Sequence, residues 1–215
     1  MDQNIARVIL AVGRMGPGGI SLLGTSFAVS EKSFATAAHI TGQSEEGLVL
    51  VVPRVQSFLD YQDTSDQNVN VFRAKIEGYD PIHDIAILGA DVRIGLPYFI
   101  GSSDDAPTGA RVVSVGFPHA DAGRLVLTQQ RSSVGARVLL PVGTVKSKHL
   151  VLNVQTRPGT SGSPVFIEEQ SQIAAMIIGC YAPLKEGGIR LGNIDPQTLH
   201  QTTHAVSAEY IREML

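Results

Sequence analysis

The sequence predicts an all-β protein, a sandwich or barrel of many short strands, and three observations carry that expectation. Short apolar, β-branched runs recur along the whole chain; clusters of Gly, Pro, Asp and Ser punctuate them; and only the extreme C-terminus carries helical spacing. With 215 residues, 43% of them hydrophobic, the chain can bury the core of one large domain or of two small units sharing a core.

In order, Ile5 to Val12 reads as a first strand, and the turn-rich Gly13-Arg14-Met15-Gly16-Pro17-Gly18-Gly19 leads into the apolar run Ile20 to Val29, making a hairpin. That glycine cluster is no phosphate loop, because no helix follows it and the lysine and hydroxyl such a loop needs are missing. After a tight turn at Glu31-Lys32-Ser33 come strands at Phe34 to Ile40, Leu48 to Val55, Val71 to Ile76 and Ile82 to Leu88. The second half repeats the texture at Ala110 to Phe117, Arg124 to Gln130, Val134 to Leu140, Leu150 to Thr156, Pro164 to Glu168 and Gln172 to Gly179. Ser207 is placed to cap a terminal helix over Ala208 to Leu215, where Tyr210, Ile211, Met214 and Leu215 share a face.

Composition excludes some partners. Charged residues make up 17% of the chain and the net charge is −3, so no basic surface is offered to a phosphate backbone and nucleic acid is not an expected partner. No stretch is long and apolar enough to be read as a membrane-spanning helix. The lone Cys180 excludes an internal disulfide framework, and the start Met-Asp-Gln-Asn with Arg7 inside the first apolar run lacks the pattern of a signal peptide. Together these favour a reducing, cytoplasmic location. No histidine has metal-ligand spacing with a second ligand, so neither a metal nor another cofactor is expected.

Chemistry concentrates in three places. Arg157-Pro158-Gly159-Thr160-Ser161-Gly162-Ser163-Pro164 brackets a serine between glycines and prolines, a segment that can be neither helix nor central strand and whose N–H groups can turn toward one point. Asp84 sits among aliphatics in Ile82-His83-Asp84-Ile85-Ala86-Ile87-Leu88, where a carboxylate needs partners; a structural aspartate bonded to backbone amides fits as well as a functional one. In a strand His83 would point away from Asp84 and lie exposed. His39 ends an alanine-rich strand that leaves room for access to its imidazole, although hydrogen-bonded packing also explains it. The other histidines, His119, His149, His200 and His204, fall in turns or polar stretches.

The order His39, Asp84, Ser161 is that of the chymotrypsin triad and not of subtilisin or the α/β-hydrolases. With Thr36-Ala37-Ala38-His39, Asp84-Ile85-Ala86-Ile87-Leu88 and Gly159-Thr160-Ser161-Gly162-Ser163-Pro164, the sequence resembles the trypsin-like serine proteases, and within them the protease domain of the HtrA family. Gly24-Thr25-Ser26-Phe27-Ala28-Val29, Gly101-Ser102-Ser103, the run Gly109 to Pro118 and Ala205-Val206-Ser207 extend the likeness over nearly the whole chain.

The resemblance implies a single protease domain of two packed antiparallel β-barrels, about 1–100 carrying His39 and Asp84 and 101–206 carrying Ser161, followed by a C-terminal helix at 207–215. It further implies a serine endopeptidase in which Ser161 attacks a peptide carbonyl, His39 is the base, Asp84 orients it, and the Gly159-Thr160-Ser161 backbone forms the oxyanion hole with Gly159 and Ser161 as donors. The substrate pocket would be lined by Gln155, Thr156, Arg157 and Pro158 and by Met176, Ile177, Ile178, Gly179 and Cys180. Gln155 stands where trypsin has its pocket-base aspartate, so an uncharged residue before the cut is expected. The family more often has glycine at Ser163, and Thr160 replaces the aspartate that captures a new N-terminus in the digestive enzymes. Activity is therefore expected without a removable propeptide, controlled by ordering of the Arg157 to Thr160 loop through a substrate, regulatory partner or oligomer. HtrA proteins usually carry a PDZ domain after the protease, whereas this chain ends at Leu215. The alternative is a protease fold used only for binding. An α/β-hydrolase is excluded by the broken Gly-x-Ser-x-Gly elbow and by the chain order.

Overall fold

The computed structural model describes residues 2–66, 68–168, 170–181 and 202–215, with Cys180 and Tyr181 described by their backbone alone. Two antiparallel barrels form, as the sequence predicts. The first closes from β1 (Ile9–Gly16), β2 (Gly19–Ala28), β3 (Ser33–Ala37), β4 (Leu48–Val52), β5 (Asn70–Asp80) and β6 (Ile85–Ala90) in the order β1-β2-β3-β6-β5-β4. After the short β7 (Phe99–Ile100), the second is built from β8 (Arg111–Gly116), β9 (Thr128–Val142), β10 (Val145–Leu152), β11 (Pro164–Ile167), β12 (Gln172–Tyr181) and β13 (Thr202–Ser207). Its order β11-β8-β9-β10-β13-β12 closes through β11–β12 pairing, and β7 adds in parallel beside β12.

The sequence explains these elements through its apolar runs. β6 and β11 are short and almost wholly buried, and fully enclosed strands read as continuous aliphatic runs because neither face meets water. β5 instead alternates in exposure along most of its length, one face inward and one outward. Phe27, Phe34, Leu50 and Leu88 of the first barrel join Phe117, Phe166, Met176 and Val206 of the second in one buried cluster, so the barrels share a core. Each such side chain contributes about 1.5–3 kcal/mol by leaving water. Val112, Val134, Leu150, Val165 and Ile177 fill a separate core inside the second barrel. Tyr98, between the barrels, donates its hydroxyl to the Ala28 carbonyl at 2.7 Å and meets Phe166 edge-on with ring centroids 5.3 Å apart.

Several local expectations are corrected. Residues Gln3–Val8 form a 3-10 turn, with Asp2 capping the Asn4 N–H, so the first strand starts at Ile9. β3 stops at Ala37, and His39 lies in a one-turn helix, α1 (Ala38–Thr41). The terminal helix α2 is Glu209–Glu213 with Ala208 at its N-cap, because the Ser207 hydroxyl is buried and accepts the Ser103 N–H at 3.0 Å instead. Residues 81–84 form a turn, and β6 begins only at Ile85. His149 is not in a polar surface stretch but buried on β10. His200 lies outside the described residues.

Candidate active site

The first barrel brings His39 and Asp84 together. β3 and β6 pair in register from Ser33↔Gly89 to Ala37↔Ile85, which sets α1, following one strand, beside the turn preceding the other. The Ala38 N–H donates to the Asp84 carbonyl at 3.0 Å and the His39 N–H to Asp84 Oδ1 at 2.8 Å. His39 Nδ1 lies 2.6 Å from Asp84 Oδ2. A carboxylate on Nδ1 fixes the tautomer that carries the proton there and leaves Nε2 able to accept one. Asp84 occupies the left-handed region at φ 57°, a conformation uncommon for a residue with a side chain and maintained by these contacts. The His39 side chain is 50% exposed, against 27% for Asp84, so the imidazole is reachable while its partner is sheltered.

The second barrel supplies the serine loop between β10 and β11. Gly159 has φ 88°, and a Cβ there would lie 2.5 Å from the Phe117 carbonyl oxygen and 2.6 Å from the Ala120 nitrogen. Gly162 has φ 86°, and its Cβ would fall 1.9 Å from the Thr25 carbonyl oxygen. Only glycine meets both demands, and the loop thereby presses against β2 and the 117–120 turn. The Pro158 carbonyl accepts the His119 N–H at 2.7 Å. In a trans peptide that holds the Gly159 N–H on the opposite side. Thr160 N–H bonds the Arg157 carbonyl, Gly162 N–H that of Ile177, and Ser163 N–H that of Thr160. Among the described residues the N–H groups of Gly159 and Ser161 have no acceptor, which leaves two donors at alternate positions.

Ser161 is partly exposed, and its hydroxyl faces the Ile178 carbonyl at 3.5 Å with no hydrogen bond to His39. The two halves of the site nevertheless adjoin. A Cβ at Gly24 would meet Ile40 Cδ1 at 2.4 Å and the Ser161 carbonyl oxygen at 3.0 Å. Ser163 points inward instead: it is 1% exposed, and its hydroxyl is buried without a partner among the described residues.

Of the other residues singled out from the sequence, Gln155, Arg157 and Pro158 are exposed and Thr156 is half-buried, with its N–H bonded to Thr203 Oγ1 at 3.2 Å. Met176 and Ile177 are 0% and 1% exposed and pack into the two cores. Between Ile177 and Gly179 β12 bulges against β13, and this turns the Ile178 carbonyl toward Ser161. The Cys180 side chain lies outside the described residues. Among the described residues no cluster of His, Cys, Asp and Glu could hold a metal ion, and no helix is long and apolar enough to cross a membrane.

Sequence reasoning missed Thr25. Its hydroxyl donates to the Gly159 carbonyl at 3.0 Å and accepts the Phe117 N–H at 3.1 Å, while its N–H donates to the Ser161 carbonyl at 2.9 Å, so one β2 residue stitches the first barrel to the serine loop. A hydroxyl inside the apolar run Ile20 to Val29 was the available signal. Arg14 was missed too. Its guanidinium donates to the carbonyls of Thr41, Ser44 and Glu46 and so holds the segment following His39. A cavity of about 720 Å³, lined in part by Ile20, Leu22, Arg54, Tyr61 and Arg124, opens between the β1–β2 hairpin and the second barrel. Beside it the Gln62 amide exchanges two hydrogen bonds with the Leu127 backbone, at 2.8 and 2.7 Å.

Comparison with known proteins agrees with this fold. Residues 24–176, more than half of the chain, match the family model described as trypsin-like peptidase domain. The chain is 30% identical over 103 residues to a Rickettsia prowazekii protein named "Probable periplasmic serine endoprotease DegP-like", a stretch that is 47% of this chain and 20% of that relative. Among solved structures, the MamO protease domain from Magnetospirillum magneticum superposes with TM-score 0.68 at 15% identity, covering 99% of this chain and 97% of that one. The HtrA-type protease AlgW, solved with a decapeptide, gives TM-score 0.68 at 16% identity over 98% of this chain and 64% of the other. The periplasmic description of the curated relatives overturns the cytoplasmic expectation. A single cysteine forms no internal disulfide in either compartment, so it could not discriminate between them.

Proposed function

Because the chain belongs to the trypsin-like peptidase domain family, we propose that it is a serine endopeptidase working by acyl transfer, with Ser161 as nucleophile, His39 as general base and Asp84 as the orienting carboxylate. The observation that carries this reading is the His39 Nδ1–Asp84 Oδ2 contact of 2.6 Å, made between residues far apart in sequence on the side of the cleft facing a glycine-framed serine. Turning about χ1 takes the Ser161 hydroxyl from its long bond with the Ile178 carbonyl toward His39 Nε2, which removes the proton as Oγ attacks the peptide carbonyl. The developing oxyanion is held by the unengaged N–H groups of Gly159 and Ser161. The imidazolium, steadied by Asp84, then returns its proton to the leaving amine, and water repeats the sequence on the acyl-enzyme.

The substrate is a polypeptide in extended form, lying along β12 near Ile178 and Gly179, with an uncharged side chain before the cut in a pocket walled by Gln155 and Thr156. A ligand or partner that favours one arrangement of the Arg157 to Thr160 loop would regulate turnover. The location proposed is the periplasm, as for the curated relatives.

The bond of Ser161 to Ile178 instead of His39 favours one other reading, a silent binding module. Labelling with a fluorophosphonate probe and incubation with a diverse peptide library decide between the two. The wild type is expected to label and to cleave, and Ser161→Ala to lose turnover by roughly 10⁴- to 10⁶-fold. Ser163→Ala should keep it, since that hydroxyl is sealed from the cleft. Equal losses in the two variants would remove Ser161 from its role.

A further inference from the structure

His83 does not point to solvent, as a strand through Asp84 would have placed it. Its side chain is 14% exposed, and its ring lies on that of Tyr210 with centroids 3.7 Å apart and planes 19° from parallel. On its other edge, Nδ1 is 2.5 Å from Asp80 Oδ2, while Asp80 Oδ1 accepts the N–H groups of Ile82 at 2.8 Å and His83 at 3.2 Å. The Asp80 carboxylate thus ties down the turn at 81–84, and the imidazole it grips is pressed on an aromatic face.

That face comes from elsewhere in the molecule. Tyr210 belongs to α2, which follows the last strand of the second barrel. Its hydroxyl accepts the Lys148 N–H at 2.9 Å, and the Lys148 ammonium contacts Asp104 at 2.7 Å and Glu209 at 3.0 Å. Ile211 is fully buried, and a Cβ on Gly78 of β5 would come within 3.1 Å of Met214 Cε, so the helix also packs on the first barrel. The residue following His83 is Asp84, held at φ 57°. A left-handed non-glycine residue persists only where its surroundings determine it, and the segment on its N-terminal side is determined by the Asp80–His83–Tyr210 arrangement.

We infer that His83 is a positioning residue for the reaction: clamped between the Asp80 carboxylate and the Tyr210 ring, it sets the backbone at Asp84, so that docking of the C-terminal helix fixes the carboxylate that orients His39. His83 touches neither substrate nor nucleophile, and its effect passes through the peptide bond to Asp84. A shift of the Asp84 carboxylate by a fraction of an ångström lengthens the bond to His39 Nδ1, and misplacement on that scale lowers turnover without weakening substrate binding.

The test uses His83→Asn, which keeps a side-chain donor toward Asp80 but removes the stack, and Tyr210→Ala, which removes the stack from the other side. Two measurements are made on the full chain: steady-state kinetics giving kcat and KM for a peptide substrate, and the low-field proton NMR signal of the His39 Nδ1–H bonded to Asp84. Both variants should lower kcat by roughly ten- to a hundredfold at unchanged KM and should broaden or shift the NMR signal. The double variant should be no worse than the more impaired single one, and Tyr210→Phe, restoring an aromatic face, should restore the signal. Folded variants that lose only thermal stability while keeping kcat and the signal would overturn the proposal. It rests on Asp84 orienting the base, but the NMR arm requires no turnover. A wild type that never labels with fluorophosphonate counts against the enzyme reading, whereas an unchanged signal in both variants counts against the clamp.

Discussion

The two barrels bring their parts of the cleft to different degrees of readiness. On the first, His39 and Asp84 are already joined by a ring hydrogen bond and a backbone one, and the turn carrying Asp84 is tied to Asp80 and to α2. On the second, the loop is assembled but its hydroxyl faces the Ile178 carbonyl at 3.5 Å. The difference follows from what each group must do in the proposed reaction. An imidazole and a carboxylate have to be held against desolvation and tautomer exchange, which takes fixed backbone. A serine hydroxyl turns about one bond, so it needs only a rigid Cα and a clear path. Preorganisation lies in the backbone of both barrels and, for side chains, in the first alone.

After the loss expected for Ser161→Ala, the largest effect concerns the more finished half. Asp84→Asn should leave the fold intact and lower turnover by about 10⁴-fold, because an amide that donates to Nδ1 stabilises the wrong tautomer. Circular dichroism and kcat/KM measure the two parts separately, and retained activity would reduce Asp84 to a structural aspartate. A smaller loss is expected from the serine loop. Gly159→Ala places a Cβ 2.5 Å from the Phe117 carbonyl oxygen in a left-handed conformation, so the peptide must rotate and its N–H leave the oxyanion. The expected loss is about 10²- to 10³-fold in kcat, with fluorophosphonate labelling slowed in parallel. If the alanine variant turned over normally, the Gly159 N–H would not be a hole donor.

How much could be read beforehand follows the same division. The serine loop was legible because Gly159, Gly162, Pro158 and Pro164 announce backbone that neither helix nor strand can use. A sandwich or barrel was legible from short apolar runs and its two-barrel form from the family resemblance, although β9 spans Thr128–Val142 where two separate strands were expected, since Ser132 and Ser133 interrupt its hydrophobic pattern without interrupting its pairing with β8. The setting of Asp84 was not legible. Ile82 to Leu88 reads as a strand run, and the Asp80 carboxylate, by capturing the N–H groups of Ile82 and His83, extends the turn begun at Pro81 through its first residues. Arg14 and Tyr210 act through partners distant in sequence, and such pairings leave no local pattern to detect, whereas Thr25 left a single trace, its hydroxyl inside an apolar run.

The smallest expected effect separates the barrels by acid. His149 on β10 is 4% exposed, its Nδ1 has no partner among the described residues, and burial together with the like charges of His204 and His83 pushes it down to about 4. Burial lowers His204 as well. A histidine whose folded value lies below its unfolded one binds protons more readily when unfolded, so its contribution to stability is complete above the unfolded value of 6.5 and is lost as pH falls toward 4. Carboxylates held low by their partners, such as Asp80 and Glu209, weaken the fold mainly around and below their ordinary values of 3.8 and 4.5. The upper part of the interval between pH 6.5 and 4.5 therefore reads mainly the histidines. The melting temperature should fall steadily across it in the wild type and more gently in His149→Gln, which cannot take up the proton, with His149→Gln/His204→Gln flatter still. Parallel slopes in all three proteins would place the acid-labile contact outside β10 and β13, and the second barrel would then be no more acid-sensitive than the first.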